Sequence, residues 1–387
     1  MKIKKLLTTV LIVFTITSPI LYLTEVSSFL LFDGSCGSDV TNPSSKIGNL
    51  QDTAYTYTGV DCVVYDYGIV PDDDVTIVVI DQGLSGDGWE YLEDNAVATI
   101  EIIGFLTKDE NDTLKWITDP TDSYLDDQIY TNHGLMVCSV LASIARDVKI
   151  IFIDLDYSND PYGFELDDYS LWEWIEDYQS TYDIDIISTS CSWHVDFMSQ
   201  AIEQIWDNLI SNGVVMLSSA GNAGNYLNYV YWDPSCYPQY YSQWYCVGSV
   251  DHETRENTSH PDIDSDKDSV SSFSSWYENN ETGNHIVNWL EPGNGIPVLT
   301  LDPPDDFEWE YAWGTSFSTP YLAAIIALII TKYHDGIGSS TDPSVQKVVE
   351  ILLYASSRGT FHQKQGYGYV DAYLACGKAY TEGVLAS

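Results

Sequence analysis

The sequence predicts an α/β protein whose central sheet is mainly parallel and is flanked by helices. Two observations predict this class. Short runs of β-branched and apolar residues, each about the length of a buried strand, alternate along the chain with longer segments of helical periodicity. These runs are continuously apolar, which is typical of parallel strands that are buried on both faces. A chain of 387 residues can bury a large core around such a sheet.

The N-terminus has the features of an export signal. Lys2, Lys4 and Lys5 precede an apolar stretch over residues 6–23. We therefore divide the chain into a signal peptide or uncleaved anchor over 1–28, a short extension over 29–70 and a main domain over 71–387. Either form of the N-terminus predicts a main domain that is secreted/extracellular or held at the cell surface.

The elements of the main domain follow in chain order. Apolar runs predict strands over residues 74–81, 149–154, 184–190 and 213–219, and helical periodicity predicts helices over residues 166–178, 197–211 and 343–357. Two further helices are expected to begin at His133 and close to Ser316. Polar, acidic segments over 253–268 and 302–310 are interpreted as surface loops.

Three of these elements place a reactive side chain at a strand end or a helix start. Asp81 ends an apolar strand before a glycine turn, and His133 opens an apolar helix. Ser316 lies where a turn at Gly314 meets a helix, and the free N–H groups of a helix N-terminus favour a developing negative charge. Pro320 is expected in the first turn of that helix, where it would cost no intrahelical hydrogen bond.

Together these segments resemble the motifs of the subtilisin-like serine proteases, the subtilases. The order Asp, His, Ser separates that family from other lineages of triad hydrolases. The resemblance extends to Tyr237-Pro238 and to the segment Gly366–Ala372, and it covers about residues 72–380. It implies a three-layer subtilisin-like fold, and an exported serine endopeptidase whose catalytic domain is the main domain.

The resemblance implies four residues that carry the chemistry. Asp81, His133 and Ser316 would form the catalytic triad of an acyl-enzyme mechanism. Asn222 follows the strand over 213–219 in the family's Ala-Gly-Asn segment, and its side chain would donate to the oxyanion. An asparagine in this position also suits an ordinary turn.

Other matching residues are implied to contact the substrate. An edge segment would pair with extended substrate through its backbone, and it consists of Ser190, Cys191 and Ser192. The end of one strand would line the primary specificity pocket, and it consists of Ser218, Ser219 and Ala220. Cys236 would occupy the floor of that pocket, where a small residue is usual, so we expect a preference for small or medium P1 side chains.

The chain departs from the family pattern close to these residues. Gln82 replaces Ser or Thr after the aspartate, and Tyr321 replaces a histidine after the serine motif. Neither change removes a member of the triad, yet a catalytically inactive binding or cell-surface protein of the same fold is the alternative. A sedolisin-like acid peptidase shares the Gly-Thr-Ser nucleophile, but His133 and Asn222 argue against it.

The composition is strongly acidic. The chain has 58 Asp and Glu residues against 15 Lys and Arg residues, which gives a net charge of −43 at pH 7. Such a surface repels nucleic acid and favours cationic substrates. We expect protein or peptide substrates, no nucleic-acid partner, membrane contact only through an uncleaved N-terminus, and a monomer. The chemistry requires no cofactor. Structural Ca²⁺ is compatible with the resemblance, although the sequence identifies no metal ligands.

Seven cysteines fit an exported chain only in part. Two disulfides are open to it, Cys36 with Cys62 and Cys236 with Cys246. Cys191 lies on an apolar element and is expected to be a buried thiol. Because the number of cysteines is odd, at least one thiol is free or pairs with another chain.

Overall fold

A computed structural model describes residues 53–67, 74–95, 100–109, 111, 113–125, 132–155, 164–165, 168–191, 199–224, 244–252, 269–276, 287–302, 306–362 and 364–387. The signal peptide or anchor expected over residues 1–28 lies outside these ranges, as does the boundary expected at residue 70. Ser192, Cys236 and the loop expected over 253–268 also lie outside them. These expectations stay predictions.

In the described part of the chain, eight strands form the main sheet in the spatial order β3-β2-β4-β1-β5-β6-β7-β8. Their bounds are β1 Thr76–Asp81, β2 Glu101–Lys108, β3 Leu114–Ile117, β4 Lys149–Asp154, β5 Ile184–Thr189, β6 Val215–Ser219, β7 Trp244–Val250 and β8 Val287–Pro292. Neighbouring strands are parallel except β2 and β3. A separate antiparallel pair consists of β9 Asn294–Asp302 and β10 Asp306–Trp313. The predicted mainly parallel sheet is confirmed.

Helices cover the sheet. Their bounds are α1 Thr53–Thr58, α2 Val60–Tyr67, α3 Gly86–Asn95, α4 His133–Ile144, α5 Tyr169–Tyr182, α6 Gln200–Ser211, α7 Thr315–Ile337, α8 Val345–Ala355 and α9 Ala372–Ala386. The helices predicted from periodicity are found as α5, α6 and α8, with ends shifted by a few residues. Helix α4 packs against α7 and α5 against α6, while β1 and β5 are buried along their whole length. The arrangement has the three layers that the resemblance implies.

Helix α7 runs through the core. Every residue from Thr315 to His334 is buried, and the helix contacts β5, β6, β7 and β8. Among the described helices, α7 alone is long and apolar enough to span a membrane by length and composition, and its apolar length is almost entirely buried inside the protein. At its N-terminus, Ser316 contacts Ser190, the residue that follows β5. The helix thereby brings a serine to the carboxyl edge of the sheet.

Helices α1 and α2 belong to the predicted extension, yet they pack into the core. The side chains of Ala54, Val60 and Val63 are buried there. The hydroxyl group of Tyr321 on α7 donates to the carbonyl oxygen of Ala54 at 3.1 Å and lies 2.7 Å from the hydroxyl of Thr58. Tyr321 stands where the family pattern has a histidine, and here it ties α7 to the extension.

The expectation of a surface loop over residues 302–310 is wrong, because most of this segment belongs to β9 and β10. Phe307 and Trp309 of β10 pack against the core, whereas Glu308 and Glu310 are exposed. The acidic residues occupy only the solvent side of a strand whose side chains alternate between two faces. Because acidic residues are frequent in this segment, its composition indicates a polar loop and the alternation is not recognised.

Candidate active site

Asp81 is the last residue of β1 and lies at the carboxyl edge of the sheet, where open parallel sheets commonly build their sites. Its side chain is fully buried. One carboxylate oxygen, Oδ1, accepts a hydrogen bond from the backbone N–H of Gln82 at 2.7 Å. No described residue donates to the other oxygen, Oδ2. The strand thus places a buried carboxylate at the sheet edge, with a hydrogen-bond donor to Oδ1 and none from the described residues to Oδ2.

His133 is the first residue of α4, and its imidazole meets this carboxylate. Nδ1 lies 2.7 Å from Oδ1 of Asp81, and 28% of the histidine side chain is exposed. Gly134 permits the close approach, because a Cβ atom there would lie 2.5 Å from the ring of Phe152 and 2.8 Å from the carbonyl oxygen of Gln82. The start of α4 is therefore held against the end of β1, with part of the imidazole open to solvent.

The carboxylate controls the protonation of His133. Burial lowers the pKa of the imidazole, but the charge of Asp81 and the hydrogen bond to it outweigh burial, and the pKa is raised above its usual 6.5. Because Nδ1 faces the carboxylate, we assign the proton of the neutral ring to Nδ1 and the lone pair to Nε2. An imidazole held in this tautomer can accept a proton at Nε2.

Ser316 is the second residue of α7 and exchanges two hydrogen bonds with Ser190. Its hydroxyl donates to the carbonyl oxygen of Ser190 at 3.1 Å, and the Ser190 hydroxyl donates to the carbonyl oxygen of Ser316 at 2.9 Å. Pro320 is the sixth residue of α7 and lacks the N–H that would bond to the Ser316 carbonyl. The expectation that Pro320 costs no intrahelical hydrogen bond is therefore wrong, and the freed carbonyl helps to anchor the serine.

The segment after β5 connects Ser316 to the Asp81–His133 pair. Ser190 holds the serine, and the side chain of the next residue contacts Asp81. On the other side, the ring of Phe317 lies beside that of His133, with the centroids 6.0 Å apart. In this structure the Ser316 hydroxyl is bonded to Ser190 rather than to His133.

Asn222 lies after β6, against the start of α7. Its Oδ1 accepts from the backbone N–H of Thr315 at 2.8 Å and from the Thr315 hydroxyl at 3.1 Å. Two donors on Oδ1 fix the orientation of the amide, so Nδ2 faces Gly314, where a Cβ atom would be 3.3 Å away. Gly314 has a φ of 151°, a conformation that residues with a side chain rarely adopt. The amide donor therefore faces the helix N-terminus that holds Ser316.

The contact made by the side chain of Cys191 was not predicted. The sequence predicts backbone pairing with substrate and a buried thiol for this residue, and the structure adds that the thiol donates to Oδ1 of Asp81 at 3.4 Å. Burial, and then the charge of Asp81, raises the pKa of the thiol well above its usual value, so the thiol keeps its proton. No local pattern signals this contact, because 110 positions separate the two residues.

The structure covers part of the predicted substrate-binding set. Ser218 and Ser219 end β6, Ala220 follows them, and all three side chains are buried. Ser192 and Cys236 lie outside the described residues. The backbone pairing with substrate and the restricted P1 pocket therefore stay predictions.

The thiols of Cys138, Cys191 and Cys376 are free. The two disulfides left open by the sequence involve Cys36 and Cys236, which lie outside those ranges. Among the described residues, one group of side chains has its metal-ligand atoms close together, and it consists of Asp81, His133 and Cys191. The expectation on structural Ca²⁺ stays a prediction.

The chain matches known proteins over most of its length. The protein-family model described as "Subtilase family" matches residues 72–369. A solved lanthipeptide protease is similar over 85% of this chain and 96% of its own, with 20% identity and a TM-score of 0.59. The solved prenylagaramide maturation protease PagA is similar over 83% of this chain and 98% of its own, with 16% identity and a TM-score of 0.54. At these identities the likeness shows the fold. A search of curated proteins gave no match.

Proposed function

The chain belongs to the subtilase family of serine proteases, and from this premise we propose that it is an exported endopeptidase that uses Asp81, His133 and Ser316 as a catalytic triad. One observation carries the proposal. Nδ1 of the partly exposed His133 lies 2.7 Å from the buried carboxylate of Asp81, and its ring lies beside that of Phe317, the residue after Ser316 at the N-terminus of α7.

Asp81 prepares His133 to act as a general base. The carboxylate holds the proton on Nδ1, so Nε2 is left to take the proton of Ser316 as the serine oxygen attacks a peptide carbonyl. For that step the Ser316 hydroxyl turns away from the carbonyl oxygen of Ser190. Hydrogen bonds of catalytic groups are often loose without substrate and tighten in the substrate complex.

Two donors face the negative charge that develops on the substrate. One is Nδ2 of Asn222, whose orientation is fixed by the bonds from Thr315 to Oδ1. The other is the backbone N–H of Ser316, which the first turn of α7 leaves without an intrahelical acceptor. His133 then protonates the leaving amine, and water releases the acyl group by the same steps.

Composition supports the rest of the proposal. The net charge of −43 favours cationic protein or peptide segments as substrates. The basic start and apolar stretch of residues 1–28 support export, with the enzyme either secreted or held at the cell surface. The mechanism uses side chains and backbone groups of the chain itself, so it requires no cofactor.

Labelling with a fluorophosphonate probe tests the proposal. We expect the full-length protein to be labelled and the Ser316→Ala protein to remain unlabelled. Labelling should rise with pH through the pKa of His133, which lies above 6.5, because only the neutral imidazole acts as a base. Labelling confined to strongly acidic pH would indicate sedolisin-like chemistry instead. A folded protein that is never labelled would indicate the inactive binding protein.

A further inference from the structure

A third side chain with a metal-ligand atom lies at the Asp81–His133 pair. The carboxylate of Asp81, the imidazole of His133 and the thiol of Cys191 have ligand atoms within 4.8 Å of one another. We propose that these side chains bind a thiophilic divalent cation, Zn²⁺ or Cd²⁺, and that the bound cation inhibits the protease. The inhibitory part rests on the proposed function, whereas the binding part stands on the geometry alone.

The donor set suits zinc-like cations. Zn²⁺ accepts thiolate, imidazole and carboxylate ligands, whereas Ca²⁺ and Mg²⁺ take oxygen ligands. With metal–ligand bonds of about 2.0–2.3 Å, tetrahedral ligand atoms lie roughly 3.3–3.6 Å apart. The 3.4 Å distance between the Cys191 sulfur and Oδ1 of Asp81 already fits this range. The 2.7 Å distance from Oδ1 to Nδ1 of His133 has to lengthen, so the cation competes with the hydrogen bond of the pair.

Oδ2 of Asp81 supplies independent support. The side chain is fully buried, and Oδ1 already accepts from Gln82, His133 and Cys191. No described residue donates to Oδ2. A buried carboxylate oxygen without a donor costs free energy. A cation bound to the carboxylate at Oδ1 brings positive charge close to Oδ2 and offsets that cost, while Oδ1 keeps its bond from the N–H of Gln82.

The cluster is accessible and lies in a negative environment. The His133 side chain is 28% exposed, and Cys191 is partly exposed. Asp154 at the end of β4 is paired in register with Asp81, is buried, and acts through its charge on the Cys191 thiol. A second buried carboxylate close to the cluster strengthens the attraction for a divalent cation.

Binding changes the protonation of two side chains. The Cys191 thiol gives its proton to solvent as its sulfur binds the cation, so one proton is released for each ion bound. Nδ1 of His133 binds through its lone pair, and its proton leaves while solvent returns one to Nε2. Nε2 then has no lone pair to accept the proton of Ser316. The cation therefore removes the general base without contacting the serine.

Titration with Cd²⁺ tests the binding. The full-length Ser316→Ala protein is titrated with CdCl₂, followed by calorimetry and by the ultraviolet absorption of cadmium–thiolate bonds. We expect Cys191→Ala in that background to bind one Cd²⁺ fewer with thiolate absorption. Cys138→Ala is the matched control, because Cys138 is also a buried free thiol that feels the charge of Asp81 but lies outside the cluster. Equal Cd²⁺ binding by the Cys191→Ala protein and its parent would overturn the proposal.

Zinc inhibition of hydrolysis separates this proposal from the proposed function. Zn²⁺ should inhibit the wild type, and a chelator should restore the rate. Cys191→Ala and Cys191→Ser should each need at least tenfold more Zn²⁺ for the same fractional loss of their own zinc-free rate, with circular dichroism to verify folding. Equal zinc sensitivity of all three proteins overturns the metal site alone. If no protein hydrolyses peptide, the proposed function fails, and the Cd²⁺ titration still decides the metal site.

Discussion

Two Asp–His hydrogen bonds of nearly equal length lie in different regions of this molecule. Nδ1 of His133 is 2.7 Å from Oδ1 of Asp81, and Nε2 of His334 is 2.8 Å from Oδ1 of Asp342. His133 begins α4, whereas His334 lies in the last turn of α7, the helix whose first turn holds Ser316. At a rise of 1.5 Å per residue, His334 lies roughly 27 Å along the helix from the serine. The second pair is therefore too far away to take part in its chemistry.

Burial runs in opposite directions in the two pairs. Asp81 is 0% exposed and His133 is 28% exposed, whereas His334 is 4% exposed and Asp342 is 36% exposed. In the first pair the carboxylate that raises the pKa of the imidazole is buried and the imidazole is partly exposed. In the second pair the imidazole is buried and the carboxylate is partly exposed. An Asp–His hydrogen bond is thus no signature of catalysis by itself. Which partner is open, and what lies beside it, decides whether a proton can be transferred to a substrate group.

Loss of the imidazole should separate the pairs most strongly. His133→Ala should lower kcat by roughly 10⁶-fold, the scale known for the triad histidine of subtilisin. His334→Ala should leave kcat unchanged, because the imidazole of His334 is buried and lies roughly 27 Å along α7 from Ser316. Steady-state hydrolysis of a peptide substrate measures both. Similar losses of kcat in the two variants would break the comparison.

Removal of the buried charge should have the next largest effect. Asp81→Asn should lower kcat roughly 10⁴-fold, the scale known for this change in another Asp-His-Ser protease. It also removes both causes that raise the pKa of His133 and leaves burial, which lowers it. The inflection in the pH dependence of kcat/KM should therefore move to lower pH. Asp342→Asn is the control, and an unmoved inflection in Asp81→Asn would contradict the assignment.

An amide donor, Nδ2 of Asn222, faces the helix N-terminus that holds Ser316. Asn222→Ala should lower kcat by about 10²–10³-fold with a smaller change in KM, the loss that removal of such a donor causes in subtilisin. The variant also removes the acceptor for the N–H of Thr315, so a thermal unfolding curve must accompany the kinetics. An unchanged kcat in a folded variant would exclude Asn222 from the oxyanion site.

The distal pair should show its role in stability. His334→Ala should lower the free energy of unfolding by roughly 1–3 kcal/mol, because it removes a buried side chain and its hydrogen bond. Asp342→Asn should cost less than about 1 kcal/mol, since its carboxylate is partly exposed and screened by solvent. Chemical denaturation measures both values. A larger loss from Asp342→Asn than from His334→Ala would contradict the proposed burial argument.

Much of this structure could be predicted from local patterns in the sequence. The parallel sheet, its strands β1, β4, β5 and β6 and the helices α5, α6 and α8 follow from apolar runs and helical periodicity, which neighbouring residues encode. The positions of Asp81 at a strand end and His133 at a helix start are also local features. That these side chains act together was implied by the resemblance to a family, since spacing alone cannot fix their distance.

The remainder depends on contacts between distant parts of the chain. The thiol of Cys191 meets Asp81 across 110 positions, and the hydroxyl of Tyr321 meets that of Thr58 across 263 positions. Neither contact leaves a periodic or local trace. The error at Pro320 has a different cause, because the helix starts at Thr315 and the proline lies one turn further in than expected.

The packing of α1, α2 and α9 has a consequence for how the protein is delimited. The recognisable family pattern spans residues 72–369, whereas Ala54 and Val63 are buried before it and α9 packs along α7 after it. The segment that matches the family model is thus shorter than the segment whose residues pack into the core. A gene fragment cut at the limits of the pattern would lack α1, α2 and α9, and with them the contacts that α1 and α9 make with the helix that carries Ser316. The chemistry of the family motifs sets the limits of the matched segment, and the burial of side chains sets the limits of the segment that folds.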